Sequence, residues 1–152
     1  MHLLSRSRHL TFAFLLCALP LAGATSAAQA EPARPEVAKQ VKAYASADGV
    51  KVSTLRYGPR ERQQALIQVI DVDNAIDGKI LLASTRTTDR DTRYTVQLDG
   101  RPYVLLIVGE AAGELYVPGT PKPTWVSYDA GLSAQSNPEH YLTDYQEQAQ
   151  GH

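Results

Sequence analysis

The residues best placed to do chemistry lie in "VIDVDNAIDGKI", residues 69–80, where Asp71, Asp73 and Asp77 surround Asn74 and Gly78. Carboxylates this close together could hold Ca²⁺, a hard cation that takes oxygen ligands. An EF-hand loop begun at Asp73 would place Asp77 and Gly78 at its fifth and sixth positions and Ile80 at the apolar eighth. Its third position is Ala75, however, and its twelfth is Ser84, so a side-chain ligand and the closing glutamate are both missing. A start at Asp71 aligns worse. Asp, Asn and Gly are also the residues of tight bends, because they tolerate left-handed backbone and cap their own turns. The segment is therefore expected to be a bend between two strands, with no metal.

Other catalytic sets are equally thin. Beyond residue 30 the chain has no cysteine and two histidines, His140 and His152, a poor supply for zinc. His140 follows Glu139 where a helix is expected to start, which suits a surface residue. No serine sits in a G-x-S-x-G elbow, and no glycine-rich loop opens a helix to cradle a phosphate. The nearest carboxylate pair, Asp89 and Asp91 in "DRD", reads as a solvated hairpin tip. No cofactor is expected, and the balance is against an enzyme. A hydrolase using two carboxylates ranks last among the readings, since it needs a buried pair with split pKa values.

Residues 1–30 read as a secretory signal peptide. Arg6 and Arg8 precede an uncharged apolar run over residues 10–22, and small residues close the segment at Ala28 and Ala30. The run is shorter than the roughly 20 residues needed to span a bilayer. Cleavage is expected after Ala30, leaving no stable membrane anchor. The arginines are split by Ser7, which does not fit a twin-arginine signal, and Cys17 lacks the small residues that precede a lipidated cysteine. Two of the 15 basic residues and none of the 16 acidic ones lie in this segment, which leaves the remainder with a formal charge of −3. A nucleic-acid partner would call for a basic footprint instead. A single domain without disulfides fits a bacterial envelope better than a cross-linked eukaryotic secretory protein, so a periplasmic (or secreted) location is expected.

The elements that must position any site follow from periodicity. Residues 31–36, "EPARPE", form a Pro-rich leader expected to be flexible, and residues 149–152 a disordered tail. The intervening residues 37–148 make one β-rich domain. Val37, Val41 and Tyr44 fall on one stripe and predict a short N-terminal helix ended by Gly49. From Val50 the period becomes two, with Val50, Val52, Thr54 and Arg56 on one side. "ALIQVI", "KILLASTR", "TRYTVQL" and "RPYVLLIV" continue as strands, and "LYV" adds a short one after a turn in "GEAAGE". Asp99-Gly100 marks a type I′ hairpin. "YVLLIV" is apolar on both faces and predicts a central strand covered on both sides. Asn137 and Pro138 predict the start of a C-terminal helix. The reading is an α+β domain, an antiparallel meander of five or six strands with a helix at each end.

The aromatic inventory is uneven: beyond residue 30 the chain carries eight Tyr and one Trp but no Phe. Tyr44, Tyr94, Tyr103, Tyr141 and Tyr145 fall on apolar stripes and read as core. Tyr57, Tyr116, Trp125 and Tyr128 lie near strand ends or in the Pro-rich stretch, where a large apolar ring with a polar tip suits a protein interface. Arg86, Arg90 and Arg93 flank one turn, and Arg93 joins Tyr57, Tyr116, Trp125 and Tyr128 as a candidate partner contact. The leading expectation is a small exported protein that binds another envelope protein, as an accessory, inhibitor or immunity factor. The alternatives are a carrier with an apolar pocket for a lipid or small molecule, and self-association through an edge strand or the tyrosine surface.

Overall fold

Eight strands run up and down and close on themselves, each hydrogen-bonded to its neighbours in sequence and the last to the first. This computed structural model describes residues 33–151, so the predicted leader of residues 1–30 and its cleavage point at Ala30 lie outside the described residues. The strands are β1 (Lys42–Ala45), β2 (Lys51–Arg56), β3 (Gln64–Ile70), β4 (Ile80–Thr87), β5 (Thr92–Leu98), β6 (Arg101–Val108), β7 (Ala112–Leu115) and β8 (Thr124–Tyr128). Two helices follow, α1 (Ala130–Gln135) and α2 (Pro138–Ala149).

The α+β meander with an N-terminal helix is thereby corrected: the protein is a closed eight-stranded antiparallel barrel. Residues 42–45 are a strand because they are needed on two sides at once. Tyr44 pairs with Val52 of β2 and with Tyr128 of β8, and this closure outweighs a helical stripe of only three residues. Val41 lies on the outer wall and Tyr44 in the interior, so the stripe is split between two cores. The sequence "GEAAGE" also resolves differently, with β7 running through Ala112–Leu115. Gly113 allows this. A Cβ there would lie 2.4 Å from the Ile107 carbonyl oxygen and 2.6 Å from a Val108 methyl.

Closure leaves no unpaired sheet edge among the described residues, and such edges are where chains pair with one another. The β1–β8 seam is short, and α1 completes it. Asp129 caps α1 by accepting from the Leu132 amide at 2.8 Å, the Asp129 amide donates to the Ala43 carbonyl at 2.9 Å, and the Ala43 amide donates to Ser133 Oγ at 2.9 Å.

Alternation sends one side chain of each pair inward. Val52, Ile67, Val69, Ala83, Val96, Leu106, Leu115 and Val126 fill the interior. In β6 the pairing slips between Tyr94 and Thr95, so Leu105 is an extra residue and both it and Leu106 are buried. The strand predicted to be covered on both faces is covered on one only, and Val104 is 38% exposed. A second cluster lies outside the barrel, where Tyr141 and Leu142 of α2 cover Val41, Leu55, Leu66 and Ile80. Asn137 accepts from the Glu139 and His140 amides to start α2, and Gln148 near its end exchanges two hydrogen bonds with the Ile80 backbone. Arg34 ties the N-terminal approach to the same helix through Glu139 at 3.1 Å and Thr143 at 2.9 Å.

Candidate functional site

The Asp-rich segment is the loop between β3 and β4, and Asp71, Asn74 and Asp77 are engaged within the protein. Asp77 accepts from the Val72 amide, Asn74 accepts from the Ile76 amide and donates to the Pro118 carbonyl at 2.8 Å, and Asp71 pairs with Lys51. No group of three metal-ligating side chains forms among the described residues. The loop has a packing role that its polar residues obscure. Ile76 is buried and Val72 half-buried against the barrel interior, so the loop stoppers one end of the barrel.

The opposite end is open. A cavity of about 470 Å³ enters the barrel there, lined by Lys42 of β1, Thr54 and Arg56 of β2, Ala65 of β3, Thr85 and Thr87 of β4, and Thr92 and Tyr94 of β5, with Arg60 and three glutamines around the rim. The inward series explains it. From stoppered end to open end, β2 reads Val52, Thr54, Arg56; β3 reads Val69, Ile67, Ala65; β4 reads Ala83, Thr85, Thr87; and β5 reads Val96, Tyr94, Thr92. Large apolar side chains fill one half, while small or polar ones leave room in the other. Tyr44 lies in the interior with Tyr94, and its ring meets that of Tyr128 at the seam edge to face at 5.8 Å. Burial, reinforced by the neighbouring phenols of Tyr94 and Tyr128, pushes Tyr44 up to about 12.

The outer wall opposite α2 holds three of the five predicted partner contacts. Cross-strand pairing places Arg86, Arg93, Ile107, Glu114 and Trp125 in one row across β4 to β8, all on the outward face. Trp125 is 67% exposed. The Tyr116 hydroxyl donates to Glu114. That hydrogen bond, more than burial or the carboxylate's charge, holds the phenol above its ordinary range, with Arg93 near enough to oppose it. Arg93 itself pairs with Asp91 at 3.5 Å. Aromatic, aliphatic, cationic and anionic groups thus share one exposed patch, with Val104 beside them.

The other two predicted contacts lie elsewhere. Tyr128 sits at the β1–β8 seam, and Tyr57 packs edge to face on Tyr145 of α2, 5.8 Å between centroids. Asp89 and Asp91 are in the β4–β5 turn, and His140 is exposed in the first turn of α2. The mouth cations Lys42, Arg56 and Arg60 were not singled out from sequence, although the series Val52, Thr54, Arg56 already shows one face turning polar along a strand.

Comparison with family models, with curated proteins and with solved structures returns no match.

Proposed function

We propose that this is a non-catalytic binding protein of the bacterial envelope, exported through its N-terminal leader to the periplasm and released without a membrane anchor. Its partner is another envelope protein, and the chain acts on it as an accessory, inhibitor or immunity factor. One observation carries the reading: Trp125 is the most exposed large apolar side chain among those described, and it shares a row with Ile107, Arg93 and Glu114. Tryptophan and arginine are enriched where binding energy concentrates, and a rigid sheet wall presents them with little entropy left to lose. The complementary surface is an apolar pocket for the indole, edged by an acidic group for Arg93 and a donor for Glu114.

The carrier, hydrolase and membrane-barrel readings have less support. A carrier of lipid needs an apolar cavity, whereas the interior is filled by side chains and its one open end is lined by threonine, glutamine and cations. A carboxylate-dependent hydrolase needs two acids in a cleft, and among the described residues no Asp or Glu lines the cavity. A membrane-spanning barrel would carry its apolar side chains outside and need strands of roughly 9–11 residues. Among the described residues the longest strands have 8 residues, and the outward row bears Arg86, Arg93 and Glu114.

The test is native affinity capture from envelope extract with three baits: the parent protein, Trp125→Ala and Tyr57→Ala. A protein captured by the parent and by Tyr57→Ala but lost with Trp125→Ala supports the reading. Equal recovery by all three baits, or specific recovery by none, contradicts it.

A further inference from the structure

The open end of the barrel is separate from the outer wall and has its own chemistry. We propose that it is a binding site for a small polar organic acid, whose carboxylate is met by Lys42 and Arg60 and whose hydroxyl groups reach the threonine layer beneath.

Three observations converge on that ligand. The first is room. The cavity of about 470 Å³ falls within the range of roughly 300–1,000 Å³ typical of small-molecule sites, and the mouth of a β-barrel is a favoured place for one. An eight-stranded barrel is just wide enough to be filled by side chains or to hold one small ligand. This barrel does the first at its stoppered end and leaves space at the other.

The second is charge. The lining contains Lys42, Arg56 and Arg60 and, among the described residues, no carboxylate. Glu36 neutralises Arg56 at 2.9 Å. Lys42 and Arg60 form no ion pair among the described residues. Two uncompensated cations around a concave opening attract an anion and hold it more strongly than they would on a flat, fully hydrated surface.

The third is the inward face itself. Thr54, Thr85, Thr87 and Thr92 occupy inward positions that valine would fill with the same shape, and Thr54 is 3% exposed. The Thr87 and Thr92 hydroxyls lie 3.1 Å apart. Hydroxyls both donate and accept, so this ring suits a ligand with several hydroxyl groups below its charge. An apolar ligand would strip water from these groups without replacing it. A bare phosphate would reach the cations but leave the floor empty.

Nuclear magnetic resonance titration of the full chain, expressed with its own leader, tests this at constant ionic strength with D-glucuronate, D-gluconate, D-glucose and inorganic phosphate. The expected result is saturable shifts at the Thr54, Thr85 and Thr92 amides with glucuronate or gluconate, and at least tenfold weaker binding of glucose and phosphate. The double variant Lys42→Gln/Arg60→Gln should bind the acid at least tenfold more weakly, with its thermal midpoint unchanged because both side chains are exposed. Thr85→Val should weaken it without altering charge, and Trp125→Ala should leave it intact. Failure of both acids to saturate, glucose or phosphate matching them, or undiminished binding by the double variant would each overturn the proposal. Because the Trp125 variant is scored separately, failure here leaves the outer-wall reading standing, and the converse also holds.

Discussion

On the β2–β4 wall of the barrel the outward side chains Leu55, Leu66 and Ile80 lie buried beneath Tyr141 and Leu142 of α2, with Leu82 left 38% exposed, whereas on the β6–β8 wall Trp125 stands 67% exposed. Both walls are antiparallel and both present apolar groups to the outside. What separates them is the chain that follows. α2 returns across the first wall and is fastened there by Gln148 on the Ile80 backbone and by the Tyr141 hydroxyl donating to the Ser53 carbonyl at 3.2 Å. Its apolar residues repeat at Tyr141, Leu142 and Tyr145, the stripe that a half-buried helix needs. The second wall receives no such cover among the described residues and mixes charge with its aromatic groups. Outward apolar residues therefore have two meanings in one barrel. Beneath α2 they are part of the fold, and on the open wall Trp125 is surface available to a partner.

That contrast is broken most severely at Leu142. It is fully buried, so Leu142→Ala should cost about 2–5 kcal/mol in unfolding free energy by urea titration. On the other side of the barrel, Gly113→Ala should cost about 1–3 kcal/mol through overpacking against Ile107 and Val108, visible as a lower thermal midpoint. Ser133→Ala removes the acceptor of the Ala43 amide at the seam. It should cost roughly 1 kcal/mol, with faster hydrogen exchange at Ala43. Trp125→Ala stands at the far end of the scale: an exposed residue of the open wall should change stability by less than about 0.5 kcal/mol, while removing partner binding. A large stability loss at Trp125, or a small one at Leu142, would erase the distinction between the walls.

Alkali sharpens the same comparison through tyrosine. Burial raises Tyr141 under α2 and Tyr94 in the interior above their ordinary value of 10.0, and takes Tyr44 to about 12. Between the unfolded and the folded pKa the native state binds the additional protons. The stability these phenols contribute is thus complete below pH 10 and declines as pH rises from there through 12 and beyond. Urea midpoints measured from pH 9 upward should fall over that window, and the absorbance of the buried tyrosinates should rise together with unfolding. Tyr141→Phe removes one contributor and should make the fall shallower.

The strand content was readable from sequence because period-two alternation is strong in β2 to β6 and Asp99-Gly100 supplies φ of 49° and 74° for the turn between β5 and β6. The start of α2 was readable for a similar local reason, the Asn137-Pro138 pair. Closure was not, because it rests on pairs far apart in sequence: Tyr44 with Tyr128 and Ala45 with Ser127. Four residues rich in alanine carry too little pattern to announce a strand that is completed by β2, β8 and Ser133 together. β7 was hidden because glycine and alanine usually signal a turn, and only the close approach of Ile107 explains Gly113. Of the candidate site, the residue types were visible and their grouping was not. Arg93, Tyr116 and Trp125 meet only through Ile107 and Glu114 of intervening strands. The mouth went unrecognised because its cations come from β1, β2 and the turn after β2.

Site-specific photocrosslinking in the intact cell examines the division of the walls most directly. A photoreactive phenylalanine analogue would be placed at position 104, beside Trp125 on the open wall, and, in a second experiment, at position 147 on the exposed side of α2. One discrete adduct with an envelope protein is expected from position 104, lost when Trp125→Ala is added, and none from position 147. Adducts of equal yield from both positions, or an adduct from position 104 that persists with Trp125→Ala, would contradict the division of the walls.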